Sequence, residues 1–238
     1  MSAQAPVLTL EAVSHQHGNG PALVDALKDV SLKVYAGELV AVMGPSGSGK
    51  STLLNIAGGL ERPTKGTVIV AGHELSALDV AGCARVRLRD IGYVFQESNL
   101  VPGLSVLENI ALPLELDGVA TSEAIAQARL ALEAVSATDL DHRFPDELSG
   151  GQAQRATIAR ALVGHRKLLL ADEPTGALDT AAGEEIISLL RQRADAGAAC
   201  LMVTHEARHA AWADRTVFLR DGKVVDRTRS DRPETLLR

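Results

Sequence analysis

One stretch constrains this chain more than any other. The apolar run Leu39-Val40-Ala41-Val42-Met43 opens directly into Gly44-Pro45-Ser46-Gly47-Ser48-Gly49-Lys50-Ser51, which feeds the helix-capable Thr52-Leu53-Leu54-Asn55. The middle segment has the spacing GxxxxGK[ST], and a continuous apolar run before it is the pattern of a strand buried on both faces of a parallel sheet. Strand, glycine turn and helix together predict an α/β fold with a phosphate-binding loop. Glycines let the backbone curl so that successive amides and the positive end of the helix face one phosphate cluster. Lys50 then reaches the terminal phosphates, and the Ser51 hydroxyl is placed to ligate Mg²⁺.

Two further apolar runs, Leu168-Leu169-Leu170-Ala171 and Leu201-Met202-Val203, read as central strands of the same sheet. The first ends in Asp172-Glu173-Pro174, which sets adjacent acids at the carboxyl end of a strand, where ligands gather in open α/β sheets. Their side chains diverge, so Asp172 suits the metal and Glu173 can accept a proton from a water attacking the γ-phosphate. Both ends of the chain read as β-rich: Val7 to Val13 and Val30 to Tyr35 form strand-like segments, and Thr216–Leu219 and Lys223–Val225 flank an Asp221-Gly222 hairpin turn. Between them, Thr121 to Val135 reads as an amphipathic helix, and Ser105-Val106-Leu107-Glu108 as a capped helix start. The stretch from Arg227 to Arg238 reads as a solvated end, and Arg85, Arg87 and Arg89 as solvated side chains.

Composition narrows the partners. At 238 residues the chain allows one compact unit with an elaborate insertion, about one and a half domains. With 24 basic against 30 acidic residues it lacks the cationic excess of a non-specific nucleic-acid binder, so no nucleic-acid partner is expected. No apolar run approaches the roughly 20 residues of a membrane span. The start, Met1 to Pro6, shows no secretory leader. Cys83 and Cys200 lie far apart and read as small buried apolar residues.

A second glycine turn, Leu148-Ser149-Gly150-Gly151-Gln152, opens the helix-like Ala153 to Val163. With the first loop committed to one nucleotide, this second anion-binding helix start is free to close over a phosphate presented by another molecule. Leu148 to Gln152, followed by Gln154-Arg155 and then Asp172-Glu173-Pro174, resembles the signature and acid motifs of ATP-binding cassette (ABC) ATPases. Gln96 in Val94-Phe95-Gln96 resembles the family's Q-loop glutamine, Ala177-Leu178-Asp179 its D-loop, and His205 in Val203-Thr204-His205 its switch histidine. The resemblance covers nearly the whole chain.

It implies a P-loop NTPase with a RecA-like core, an antiparallel β-subdomain and a helical signature subdomain inserted over about residues 97–164. It implies ATP and Mg²⁺ as cofactors, with the metal near Ser51, Gln96 and Asp172 and catalysis by Lys50, Gln96, Glu173 and His205. Two subunits, identical or homologous, would sit head to tail, each ATP held between one phosphate loop (Gly44 to Thr52) and the other subunit's Ser149-Gly150-Gly151-Gln152, with Asp179 at the junction. One departure stands out: where the family usually places an aromatic to stack on adenine, the counterpart here is His17, which is equally readable as a base contact or an ordinary loop histidine.

The stretch from Asn99 to Leu114 resembles subunits of the macrolide-exporter and lipoprotein-release type. That implies a peripheral ATPase on the cytoplasmic side of the membrane, powering a separate integral permease for export or extraction from the membrane. Leu100, Val101 and Leu104 are candidates to line the permease groove. The competing reading is a cell-division-type mechanotransmitter that moves a membrane partner without carrying substrate. No zinc insertion, long coiled coil or second cassette points to the DNA- or ribosome-acting branches of the family.

Overall fold

The computed structural model describes residues 5–18 and 23–229. The apolar runs form the middle of the main sheet. β3 (Leu39–Met43), β7 (Leu168–Asp172) and β8 (Ala199–Val203) lie between β6 (Ile91–Val94) on one side and β9 (Arg215–Arg220) with β10 (Lys223–Arg229) on the other. Among the described residues the strand order is β10-β9-β3-β8-β7-β6, parallel from β9 to β6, with β10 antiparallel at the edge. A second sheet, antiparallel, runs β2 (Val24–Val34), β1 (Leu8–His17), β4 (Lys65–Val70) and β5 (His73–Glu74).

The two-residue side-chain period of a strand explains why the central runs are apolar throughout. On β3, Val40 and Val42 face a core shared with α1 (Lys50–Ala57) and the antiparallel sheet, which buries Leu53, Leu54, Leu8, Leu10 and Leu32. Leu39 and Ala41 face the opposite way, into a core shared with α6 (Thr180–Asp195) and the helices between β6 and β7. Those helices are α3 (Val106–Leu116), α4 (Thr121–Ala134) and α5 (Gly150–Leu162). They occupy the segment expected to be a helical insertion. Their apolar faces merge with the sheet-side core through Leu107, Leu132, Ile158 and Ile187.

Local signals set the helix boundaries. Ser105 caps α3 reciprocally with Glu108, and Ser149 caps α5 with Gln152. Asn109, fully buried on α3, ties down the preceding loop: its Oδ1 accepts the Val101 N–H at 2.7 Å, and its Nδ2 lies 3.0 Å from the carbonyls of Val101, Leu104 and Ser105. The hairpin turn has positive φ at both central residues, 50° at Asp221 and 76° at Gly222, matching the twist of its strands.

Several expectations need correction. The stretch from Arg227 is exposed as expected at Arg227 and Thr228 but is not unstructured as far as Arg229: it completes β10, and the Arg227 guanidinium donates to the Ser31 carbonyl at 2.7 Å, while residues 230–238 and the start at 1–4 lie outside the described residues. On α2 (Val80–Asp90), Arg85 and Arg89 are exposed as expected, whereas Arg87 is half-buried. Arg87 donates to the Gly59 carbonyl at 2.6 Å, and Arg89 pairs with Asp117 at 2.6 Å. Leu100 packs into the helical core; Val101 is exposed and Leu104 half-buried. Cys83 and Cys200 are buried free thiols, and burial pushes the Cys200 thiol up to about 12.

Candidate functional site

The loop from Gly44 to Gly49 emerges at the carboxyl end of β3 and curls into α1. Gly49 supplies the N-cap at φ 102°, with no side-chain cap, and the first turn holds no acidic residue. The amides of that turn are therefore open to an anion, as the macrodipole also favours. Close packing demands the glycines: a Cβ on Gly49 would lie 2.3 Å from the Ala26 carbonyl oxygen of β2, and one on Gly44 would lie 2.0 Å from the Leu219 carbonyl oxygen of β9. The turn at Gly222 braces the loop from below, its N–H donating to the Ser48 carbonyl at 3.1 Å and its carbonyl accepting from the Lys28 N–H at 2.8 Å.

Lys50 reaches back across the loop, its Nζ 2.9 Å from the carbonyl oxygens of both Gly44 and Pro45. At the end of β7 the buried Asp172 carboxyl is held above its ordinary range, chiefly by burial and further by the charge of Glu173. A hydrogen bond with Ser51 and the charge of Lys50 pull the other way. Glu173 takes φ 46°, an uncommon conformation for a non-glycine residue, and its N–H donates to the Val203 carbonyl at 3.1 Å. That turn brings Glu173 Oε2 to 2.9 Å from Nδ1 of His205, whose pKa the hydrogen bond and charge of Glu173 raise.

These groups line one cleft of ≈ 860 Å³, together with His17, Ser46, Gly47, Thr52 and Gln96. Its size lies within the usual span of about 300–1,000 Å³ for small-molecule sites. Residues present fit a nucleotide with a divalent cation. Uncapped amides and Lys50 suit phosphates. Asp172 beside Ser51 is a buried carboxylate that a cation would stabilise.

The sequence-derived residues do not all converge. Ser149, Gly150, Gly151, Gln152 and Asp179 lie outside this cleft. Ser149 and Gln152 cap α5, Gly151 packs where a Cβ would meet the Ala177 carbonyl at 3.3 Å, and Asp179 caps α6 by accepting from the Ala182 N–H at 2.9 Å. Pro45 and Ser48 shape the loop without lining the cleft. His17 stands at the cleft's edge, its Nε2 3.2 Å from the Thr52 hydroxyl and its ring edge-on to His15. Two features of the site are not legible in the sequence. Val24 to Ala26 of β2 form a wall of the cleft. Buried Gln154 of α5 donates to the Pro174 carbonyl at 3.0 Å, linking the second glycine turn's helix to the acid pair's loop.

Comparison with known proteins decides the family. Residues 27–176 match the family profile described as "ABC transporter". This chain belongs to the ABC transporter family. The cassette is 42% identical over 220 residues to the macrolide export ATP-binding/permease protein MacB of Shigella flexneri, and 44% identical over 219 residues to that of Salmonella typhi, covering 92% of this chain and 34% of each relative. The cassette thus spans about a third of the length of the curated relatives it matches. Among solved structures it resembles the ATP-binding cassette MJ0796, seen as a dimer in a post-hydrolysis state with ADP and phosphate. The TM-score is 0.90 at 38% identity, over 93% of this chain and 98% of that one. A second dimeric structure of MJ0796 gives 0.89 at 39% identity. The fold shared with these structures is that of an ABC ATPase cassette, a P-loop mixed α/β architecture with an antiparallel sheet and helices.

Proposed function

We propose that this cassette binds and hydrolyses ATP as the motor of an ABC transporter, working as a head-to-tail dimer. The observation that carries the reading is a division of labour: the phosphate loop and the Glu173–His205 pair share one cleft, while the second glycine turn opens elsewhere. A site needing both sets of groups takes the second from another copy or a homologous cassette.

In this reading the loop amides and Lys50 bind the β- and γ-phosphates. Ser51, Asp172 and Gln96 would hold Mg²⁺, which when bound neutralises charge on the β- and γ-phosphate oxygens. Glu173 accepts the proton of the attacking water, and His205 fixes the carboxylate's direction through its 2.9 Å contact with Oε2. The partner's Ser149, Gly150 and Gly151 close over the γ-phosphate from the far side, with Asp179 at the junction. Residues 97–164 act as the helical subdomain that carries this second turn.

No helix among the described residues is long and apolar enough to cross a membrane. In this reading the cassette acts on a separate membrane permease from the cytoplasmic face, and the likeness to MacB supports export over mechanotransmission without transport. The groove of ≈ 300 Å³ lined by Leu88, Tyr93, Phe95, Leu112 and Leu116 is the surface for a permease segment. Steady-state hydrolysis tests the reading: Glu173→Gln lowers turnover roughly 100-fold with ATP binding kept, and Lys50→Ala weakens nucleotide binding. Turnover unchanged in Glu173→Gln would remove the general base.

A further inference from the structure

We propose that His15, His17 and Glu61 form a binding site for a divalent transition-metal ion of the zinc class at the edge of the nucleotide cleft, with His17 shared between the two. His15 and His17 are two residues apart on β1, and Glu61 follows α1. Glu61 Oε2 lies 3.1 Å from His15 Nε2 and 3.9 Å from His17 Nε2, and one donor atom from each residue lies within 4.8 Å of the others. A tetrahedral ion with bonds of about 2.0–2.2 Å sets its donors about 3.3–3.5 Å apart. The triad brackets that spacing, and a turn of the half-exposed His17 ring, which would give up its Nε2 contact with the Thr52 hydroxyl, would close the longer gaps.

The surroundings of each donor favour a metal. His15 Nδ1 sits 2.9 Å from the Arg62 carbonyl oxygen. A carbonyl only accepts, so Nδ1 carries the proton. A neutral ring then turns the lone pair of Nε2 toward a carboxylate oxygen at 3.1 Å, which is repulsive unless a cation lies between them. Histidine ligands in metal sites are oriented by this kind of Nδ1–H to carbonyl bond. Glu61 shows the complementary pattern. Asn55 Nδ2 holds its Oε1 at 2.9 Å, and Asn55 is held in turn by the Tyr93 hydroxyl at 2.8 Å. The other oxygen, Oε2, is buried and has no hydrogen bond of acceptable geometry. A proton on His15 would satisfy one of these contacts; the approach of His17 to the same oxygen supplies a third donor that a proton does not need. Two imidazoles and one carboxylate suit zinc or a neighbouring first-row ion, and leave a fourth position for water.

The test uses the full chain, stripped with a chelator and kept free of nucleotide and magnesium, so that a negative result leaves the phosphate-loop reading untouched. Calorimetric titration with zinc chloride should show one ion bound per chain with micromolar or tighter affinity. His15→Ala, His17→Ala and Glu61→Gln should each weaken it by about tenfold or more, since even outer-shell changes reach that size. His142→Ala, an exposed histidine elsewhere, should leave it unchanged. Cobalt(II) should give the visible absorption of a four-coordinate site in the wild type and lose it in His17→Ala, a half-exposed change that spares the fold. Zinc affinity equal in wild type and all three ligand variants, or a His15–Glu61 pair that takes up only a proton and no zinc, would overturn the proposal.

Discussion

Gly49→Ala isolates how tightly the phosphate loop is wedged between the two sheets. Its Cβ would sit 2.3 Å from the Ala26 carbonyl oxygen and 3.0 Å from a Leu27 methyl, at φ 102°. Backbone at that angle costs a side-chain-bearing residue about 1–3 kcal/mol, and forcing β2 away adds an overpacking cost of about 1–3 kcal/mol. The sum, about 2–6 kcal/mol, lowers the melting temperature by roughly 2–4 °C per kcal/mol in a chain of this length. Gly47→Ala is the matched control, because its φ of 75° is also left-handed but its Cβ would meet nothing within 4 Å. It bears the backbone cost alone, about 1–2 kcal/mol. Thermal melts of both variants, with and without ATP, check the difference. Gly49→Ala should melt several degrees below Gly47→Ala and lose most of the stabilisation by ATP, because a displaced loop no longer aims its amides at one point. Equal melting temperatures for the two variants would refute the wedge.

Other outcomes follow from individual contacts. His205 should titrate above its ordinary value of 6.5 in the wild type and fall back toward it in Glu173→Gln, as read by NMR. Because the folded value is raised, the pair's contribution is fully present below about pH 6.5 and is lost as pH rises through the folded value. The mostly exposed ring keeps its effect on stability small. An unchanged titration would mean that Glu173 is not its partner in solution. Asn109→Ala removes the hydrogen bonds that pin the loop before α3, a loss of about 2–4 kcal/mol. It should lower the melting temperature and open residues 99–105 to limited proteolysis; wild-type protease resistance there would count against the tether.

What the sequence disclosed depended on how local the cause was. The runs at β3, β7 and β8 were readable because burial on both faces leaves no polar position to hide the strand, and the helix starts at Ser105 and Ser149 because a capping box is complete within four residues. The strand β6 is not legible in the sequence. It is short and contains Gly92, whose absent side chain is explained by α5: a Cβ there would lie 2.0 Å from the Ala161 carbonyl oxygen, a contact invisible without the fold. The helix α2 was hidden by its arginines, although Asp79 gave a usable signal, its carboxylate accepting from the Gly82 N–H at 2.7 Å. At the site, Lys50, Asp172, Glu173 and His205 were legible as motif residues. The 2.9 Å approach of Glu173 to His205 needs the positive φ at Glu173, and the bond from Gln154 to the Pro174 carbonyl is a contact between two motif residues 20 apart that only the fold creates.

The central claim is that the cleft is completed by the second glycine turn of another subunit. Light scattering on Glu173→Gln, in which bound ATP persists, tests it directly. With ATP and magnesium the mass should rise to twice the 25.0 kDa of one chain. Adding Ser149→Arg to the same protein should return it to the monomer with nucleotide still bound. A Glu173→Gln protein that binds ATP and stays monomeric, alone and with a homologous cassette added, or a dimer indifferent to Ser149→Arg, would contradict the account.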